Sequence, residues 1–371
     1  MTQYKNHVAL DLIAVVLIVF IAYMLRTVLV PLIFAVILST LIFPIVYYFE
    51  TRLCFNRVLA ISIAILLFCT LIFLLFVIIG IQFNDIMEKS SAYYESIEKK
   101  ITQLIHRTEK TTGLGTTEII GGENIEIKSI VKNNSTKIID FITSSGSIIG
   151  DFVLTPLYMF LFLLYRDFLR SFILKAVVKS NNKLKMKSIL NELYNIQHNY
   201  LVGLVIVMII VGFLNSFGLL LLGVEFPFFF GFLCALLLLI PYIGIIIGSI
   251  LPALIALATK DSYWYALGVI GIFGFIQLLE GNIITPKITG SKVSLNELVS
   301  IVSIIAFSML WGIPGMILAL PITASLKVVF DHSEQFKPIG FLLGSANNKY
   351  LESRAKNRLK NWNKIRANKS E

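Results

Sequence analysis

Long stretches without a charged residue alternate with short polar segments along this chain. Thr27–Phe49, Val58–Phe83, Tyr200–Val224 and Leu298–Leu326 run for 23, 26, 25 and 29 residues without Asp, Glu, Lys or Arg. Each exceeds the roughly 20 helical residues that cross a hydrocarbon core of about 30 Å. Val8–Leu25 carries only Asp11, Phe141–Tyr165 carries only Asp151, and Ser262–Leu279 is an uncharged run of 18. The first of these is too long for a signal-peptide core and ends in Tyr23-Met24-Leu25-Arg26 without a small-x-small cleavage site, so it reads as a retained helix. Asp11 suits the first turn of that helix, where the dipole favours an acid. Phe226–Thr259 is a different case. As one helix its 34 residues would reach about 51 Å at 1.5 Å per residue. Pro241 divides it, and Gly244, Gly248 and Pro252 follow. Two readings stay open for 226–258: one long kinked span, or a re-entrant hairpin of two half-spans whose freed backbone is buried in protein or faces water.

The segments between the runs are amphipathic. Ile86, Tyr93, Tyr94, Ile97, Ile101, Leu104 and Ile105 recur at three- and four-residue steps. A glycine-rich break at 113–122 precedes a second pattern at Ile127, Ile130, Val131 and Ile138, so a protruding helical hairpin is expected. Phe168, Leu169, Phe172, Ile173 and Val177 form one stripe, and Met186, Ile189, Leu190, Leu193 and Tyr194 another, as in helices that lie at a membrane interface. Six regions follow: residues 1–83 with three membrane helices, an extracytoplasmic segment at 84–140, a fourth span at 141–165, cytoplasmic amphipathic helices at 166–199, a membrane core with broken helices at 200–330, and a basic tail at 331–371.

Composition agrees with this pattern. The chain is 57% apolar and 15% charged, against about 45–50% and 25% for soluble domains. The expected fold class is an all-α polytopic integral membrane protein with about eight transmembrane helices, one or two of them broken or re-entrant. The formal net charge of +10 does not come with aromatic base readers in one patch, so nucleic acid is not an expected partner. Membrane lipids are: the tail from Lys349 to Lys369 is strongly basic. Residues 166–199 hold seven basic and two acidic residues, and 331–371 hold nine and four. Residues 82–147 hold eight and nine. The positive-inside rule places the first two in the cytoplasm and the third outside, with both termini cytoplasmic. Cys54, Cys69 and Cys234 form no C-x-x-C and read as packed small hydrophobes.

No catalytic engine is visible. The chain lacks G-x-x-x-x-G-K-[ST] and G-x-S-x-G, and His7, His106, His198 and His332 have no ligand spacing. No enzyme, metal or cofactor is expected. The informative residues are polar ones at membrane depth, where a central charge costs about 2.5–3.5 kcal/mol on insertion scales. Glu280 ends a face made by Gly271, Gly274 and Gln277, with Asn282 and Thr285 just beyond. Asp151, Thr155 and Tyr158 share a face of a helix that also holds Pro156, and Asn215-Ser216 is a polar pair inside its own run. A helix-end role at the interface remains the alternative for both Glu280 and Asp151.

Three blocks in the second half carry a resemblance. Pro241-Tyr242-Ile243-Gly244 with Gly248 and Pro252, then Glu280-Gly281-Asn282-Ile283-Ile284-Thr285-Pro286-Lys287-Ile288-Thr289-Gly290, then Leu310-Trp311-Gly312-Ile313-Pro314-Gly315-Met316 and Ala319-Leu320-Pro321, together resemble the AI-2E family, also called the PerM-like permease family. With the early Arg26, Pro31 and Pro44 the likeness covers nearly the whole chain. It implies about eight spans, a homo-oligomer and the bacterial cytoplasmic membrane. The implied activity is secondary transport or export of a small polar solute such as autoinducer-2, or Na⁺/H⁺ antiport of a monovalent cation against a proton. A non-transporting membrane scaffold is the third reading. The pathway candidates are Glu280, Asn282, Gln277, Asp151, Pro241, Gly244, Gly248, Thr285, Gly312 and Gly315, because half-helix ends and opened backbone can meet a polar solute at mid-membrane. Gly244-x-x-x-Gly248 also suits simple close packing of helices.

Overall fold

The computed structural model describes residues 8–112, 146–176, 183–240, 243–288 and 295–345. The glycine-rich break, the second stripe of the protruding segment and the basic tail lie outside these residues. In chain order the helices are α1 (Val8–Met24), α2 (Arg26–Thr51), α3 (Arg57–Glu88), α4 (Ser90–Thr112), α5 (Gly146–Leu164), α6 (Arg166–Ala176), α7 (Lys183–Leu221), α8 (Pro227–Leu237), α9 (Ile243–Thr259), α10 (Trp264–Leu279), α11 (Thr285–Ile288), α12 (Glu297–Asp331) and α13 (Lys337–Leu343). A π-helical turn, Glu280–Ile284, joins α10 to α11. Among the described residues there is no β-strand, only one isolated bridge between Leu295 and Gly344.

This is an all-α polytopic membrane protein. Apolar side chains cover its outside: Val16 is 66% exposed, Leu66 69% and Phe76 60%. In water such surfaces would aggregate, whereas lipid solvates them. The interior is a set of helix seams. Ala35, Ile42 and Val46 of α2 pack with Ala60, Ile61 and Ala64 of α3 and with Met159 and Leu163 of α5. The small residues let these three helices approach closely. One end of the bundle is tied by charge: Arg166 meets Glu50 at 2.5 Å, and Arg57 meets Asp167 at 2.9 Å.

The two N-terminal runs do not form a pair of antiparallel spans. Leu25 alone separates α1 from α2, and helical bonds cross it, Leu25 N–H to Ile21 O and Leu29 N–H to Leu25 O. One residue is too short a connection to reverse a helix. α1 and α2 are therefore one bent helix, steadied where Trp311 Nε1 donates to the Ala22 carbonyl at 3.0 Å.

The 226–259 run is a hairpin, which decides between its two readings. α8 and α9 lie antiparallel: a Cβ on Gly244 would meet Leu237 O, and one on Gly248 would meet Cys234. Both ends of the hairpin lie against α4. Glu225 accepts from Lys89 Nζ at 3.1 Å and from the Tyr93 hydroxyl at 2.8 Å. At the other arm, Ser96 Oγ donates to Ala258 O at 2.6 Å, and Lys100 Nζ to Leu257 O at 2.8 Å.

α12 is also folded back on itself, at the Gly/Pro break that Trp311–Gly315 makes in its apolar run. Gly312 has φ 67° and ψ −141°, a conformation open to glycine and strained for other residues. A Cβ on Gly315 would lie 1.9 Å from Phe307 O. In a straight helix those two positions would be about 12 Å apart at 1.5 Å per residue. Residues 297–311 and 313–331 thus form a second hairpin with its tip at Gly312. Its open end is buckled by α13. The Asn296 amide donates to Leu342 O at 2.6 Å and Gly344 O at 3.1 Å, while Asn296 Oδ1 caps α12 by accepting from Val299 N–H at 2.8 Å. Of the eight runs that count as crossings by length, two therefore return to the end they entered from, and the first two are a single bent helix.

The Glu225 cluster sets an acid limit on the α4 contact. Desolvation pulls the Glu225 carboxyl upward, but hydrogen bonds from Tyr93 and Lys89 and the charges of Lys89 and Lys260 outweigh it, leaving the pKa below the ordinary value. A carboxylate lowered on folding stabilises the folded state above its unfolded pKa, and that contribution is lost as pH falls through the folded value. Between neutral pH and about pH 3, wild type should lose more thermal stability than Glu225→Gln. Equal losses in detergent melting curves would show that the carboxylate contributes nothing.

Candidate functional site

The two hairpins enter the bundle from opposite ends, and α7 serves as a ruler for how far each reaches. α8 runs antiparallel to α7: Gly231 abuts Ser216 and Gly212, and Leu238, just past the end of α8, packs on Val207 and Val211. From the other end, His332 faces Glu192 at 3.5 Å, the Gln197 amide donates to Pro321 O at 2.7 Å and also to Ser325 Oγ, and Leu318 packs with Leu201. Gly312 lies six residues before Leu318, about 9 Å further along a helix. Both tips thus stop near the 207–211 level of α7, in the middle of its apolar stretch.

Glu280 lies at that same level. Ile276 packs on Val207 and Val211, and Ile284 borders the same cluster. Glu280 sits between them at four-residue spacing on one face. It is not a helix end: the chain continues through the π-turn into α11, with Thr285 N–H bonding Glu280 O across five residues. Pro286, which has no N–H to give to a regular helical ladder, follows directly, and π-turns of this kind concentrate at functional sites. The half-buried carboxylate accepts from Gln277 Nε2 at 2.7 Å on one oxygen and from the Thr285 hydroxyl on the other. Gln277, Glu280 and Thr285 are therefore brought together, and the carboxylate is held in place by neutral donors, with no counter-ion in contact among the described residues. A carboxylate held this way can meet a cation or accept from a hydroxyl-bearing solute.

The other candidates are placed differently. Asn282 is exposed and donates to its own backbone at Leu278 O, 2.9 Å away, so it does not join Glu280. Gly244 and Gly248 are buried where the arms of the first hairpin cross, and Gly315 does the same in the second. Gly312 makes its tip. Gly271 and Gly274 leave open space, with no neighbour among the described residues within 4 Å of an added Cβ. Asp151 lies within α5, but its side chain and all of Pro241 fall outside the described residues. Ser216 of the polar pair is fully buried and donates to Gly212 O at 2.7 Å under Gly231. Its neighbour Asn215 is 2% exposed, and its Oδ1 has no partner among the described residues.

The profile of the AI-2E family of transporters matches residues 12–335, which include both hairpins and Glu280. The chain belongs to the AI-2E family. Among AI-2E relatives, YueF of Bacillus subtilis is 26% identical over 351 residues, covering 89% of this chain and 94% of that protein. The AI-2 transport protein TqsA of Escherichia coli is 32% identical over 162 residues, 44% of this chain and 46% of that protein. YrrI of Bacillus subtilis is 34% identical over 134 residues, so the match spans 37% of its length. AI-2E membership makes this a transporter-family protein, and it covers the helices that build the paired hairpins.

Nothing in the sequence pattern singles out Lys100, Glu225 or Gln197. Lys100 and Gln197 act on backbone carbonyls far away in sequence, and a carbonyl leaves no mark in a residue string. The shared Ile-Pro at positions 240–241 and 313–314, each followed closely by the glycine on which the hairpin closes, marks both breaks in the sequence.

Proposed function

We propose that this chain is a secondary transporter or exporter of a small polar solute across the bacterial cytoplasmic membrane, with its path between the two hairpin tips and the Gln277–Glu280–Thr285 group at its centre. The observation that carries the reading is that the hairpins enter from opposite ends and stop at one level with a carboxylate. Broken helices meeting at mid-depth are how secondary transporters offer backbone and half-helix ends to solutes. α7 with the first hairpin, and α10 with the second, repeat one helix-then-hairpin plan in inverted orientation. Such a pair can close one end while the other opens. Autoinducer-2 is the first solute to test, since the relative TqsA is named for its transport. The Glu280 carboxylate at this depth supports a second reading, Na⁺/H⁺ antiport.

The α4 end is outside and the α6 end cytoplasmic in this reading, with the chain acting as a homo-oligomer through its open apolar faces. Purified protein in liposomes, loaded with autoinducer-2 or with a pH dye and a cation gradient, separates the two readings. Solute flux without cation-dependent proton movement supports export, and the reverse supports antiport. Neither signal in correctly inserted protein would reject transport by this route. Orientation has its own test: in intact cells, a single cysteine at position 110 should react with an impermeant thiol reagent and one at position 185 should not. The opposite pattern would invert the topology.

A further inference from the structure

We infer that α4 and the first hairpin form one mechanical unit, in which Lys100 is the positioning residue that holds the hairpin's second arm to the aqueous helix. Lys89, Tyr93, Ser96 and Lys100 fall at steps of four, three and four on one face of α4 and its leading residue, and this face spans both ends of the hairpin. At the start of the first arm, Lys89 and Tyr93 converge on Glu225, and the Lys89 ammonium also lies 5.2 Å from the centre of the Phe226 ring. At the end of the second arm, one ammonium gathers three carbonyls: Lys100 Nζ donates to Leu257 O, to Ala258 O at 3.3 Å and to Lys260 O. These oxygens close a helix C-terminus, where carbonyls lack intrahelical donors and the dipole is negative. Between the two ends, Tyr93 and Ile97 are 9% and 8% exposed and belong to the same buried cluster as Phe229, Phe230, Ala256 and Phe273.

An apolar seam with polar ties at both ends does not open during a transport cycle. The open end of the hairpin cannot spread, so movement must come from the tip or from the hairpin and α4 travelling together. The aqueous helix then transmits to the hairpin whatever binds or restrains the external segment. This inference rests on the transport reading for its flux arm only.

The test uses the full chain without Cys54, Cys69 and Cys234. Lys89→Cys with Glu225→Cys, joined by a short bifunctional thiol reagent, should carry autoinducer-2 in liposomes at the rate of the unjoined double variant. Loss of flux on joining, restored on cleaving the linker, would overturn the unit by showing that α4 must release. Lys100→Met keeps the apolar stem and removes the ammonium. It should speed hydrogen exchange of the amides in Leu254–Thr259 while leaving those of residues 313–331 unchanged. It should also lower the maximal rate several-fold at unchanged KM, with Lys100→Arg restoring most of both. Wild-type exchange and rate in Lys100→Met would remove Lys100 from the role. If wild type carries no autoinducer-2, the choice of solute fails and the exchange experiment still decides the unit.

Discussion

Glu280→Gln should leave the protein folded and inserted but bring coupled flux down to the level of empty liposomes. The substitution keeps the side chain's length and one acceptor oxygen, so Gln277 and Thr285 retain a partner at position 280, while the only titratable group of the central trio is removed. A folding defect is a poor explanation for loss of flux in this variant, since exchanging a carboxylate for an amide of the same shape at a half-buried site leaves the packing of Ile276 and Ile284 on α7 in place. Glu280→Asp withdraws the carboxylate by one methylene from both donors and should keep partial activity with a shifted pH optimum. The measurement is initial flux across a pH series in liposomes, beside a melting curve of each variant. Glu280→Gln moving solute at the wild-type rate with an unchanged pH profile would make the carboxylate structural, and the proposed centre would have to move to the hairpin backbone. Thr285→Val is the milder companion: it removes one donor from the carboxylate without touching its charge, and should lower flux less than Glu280→Gln does.

Much of the fold is legible as uncharged length, and the part that is not legible concerns direction. A charge-free run reports how much chain lipid will accept. It says nothing about whether that chain goes through or turns back. Leu298–Leu326 therefore looks like one span, although Gly312 folds it in two, and Phe226–Thr259 leaves a kink and a hairpin undecided. The same blindness makes α1 and α2 look like separate crossings, because Arg26 interrupts the apolar run while the backbone hydrogen bonds continue past it. Glu280 is visible as a polar residue on a glycine face, but Pro286 suggests a helix end there. The π-turn absorbs the proline's missing donor and keeps Glu280 inside the helix. Asn282 shows the opposite error of proximity: two residues from Glu280 in sequence, it lies far enough round the helix to bond its own backbone instead.

The glycines divide into two classes that a residue string cannot separate, and substitution by alanine should separate them sharply. Gly315→Ala places a methyl 1.9 Å from Phe307 O, and Gly244→Ala places one 2.1 Å from Leu237 O. In both, the obstacle is a backbone carbonyl of the opposing arm, which cannot rotate away as a side chain would. The arms must spread, at a cost at or above the roughly 1–3 kcal/mol typical of overpacked cores. Gly312→Ala meets no atom within 4 Å, yet its φ of 67° with ψ −141° strains any residue bearing a Cβ by about 1–3 kcal/mol. Gly271→Ala and Gly274→Ala meet open space in ordinary helix and should be neutral or stabilising by up to about 1 kcal/mol, the helix preference of alanine over glycine. Thermal unfolding in detergent, ranked as Gly315→Ala and Gly244→Ala lowest, then Gly312→Ala, then wild type with Gly271→Ala and Gly274→Ala, checks the whole set. A Gly315→Ala protein as stable as wild type would mean that residues 297–311 and 313–331 are not closed against each other, and the second hairpin, with the mid-depth convergence that depends on it, would fall.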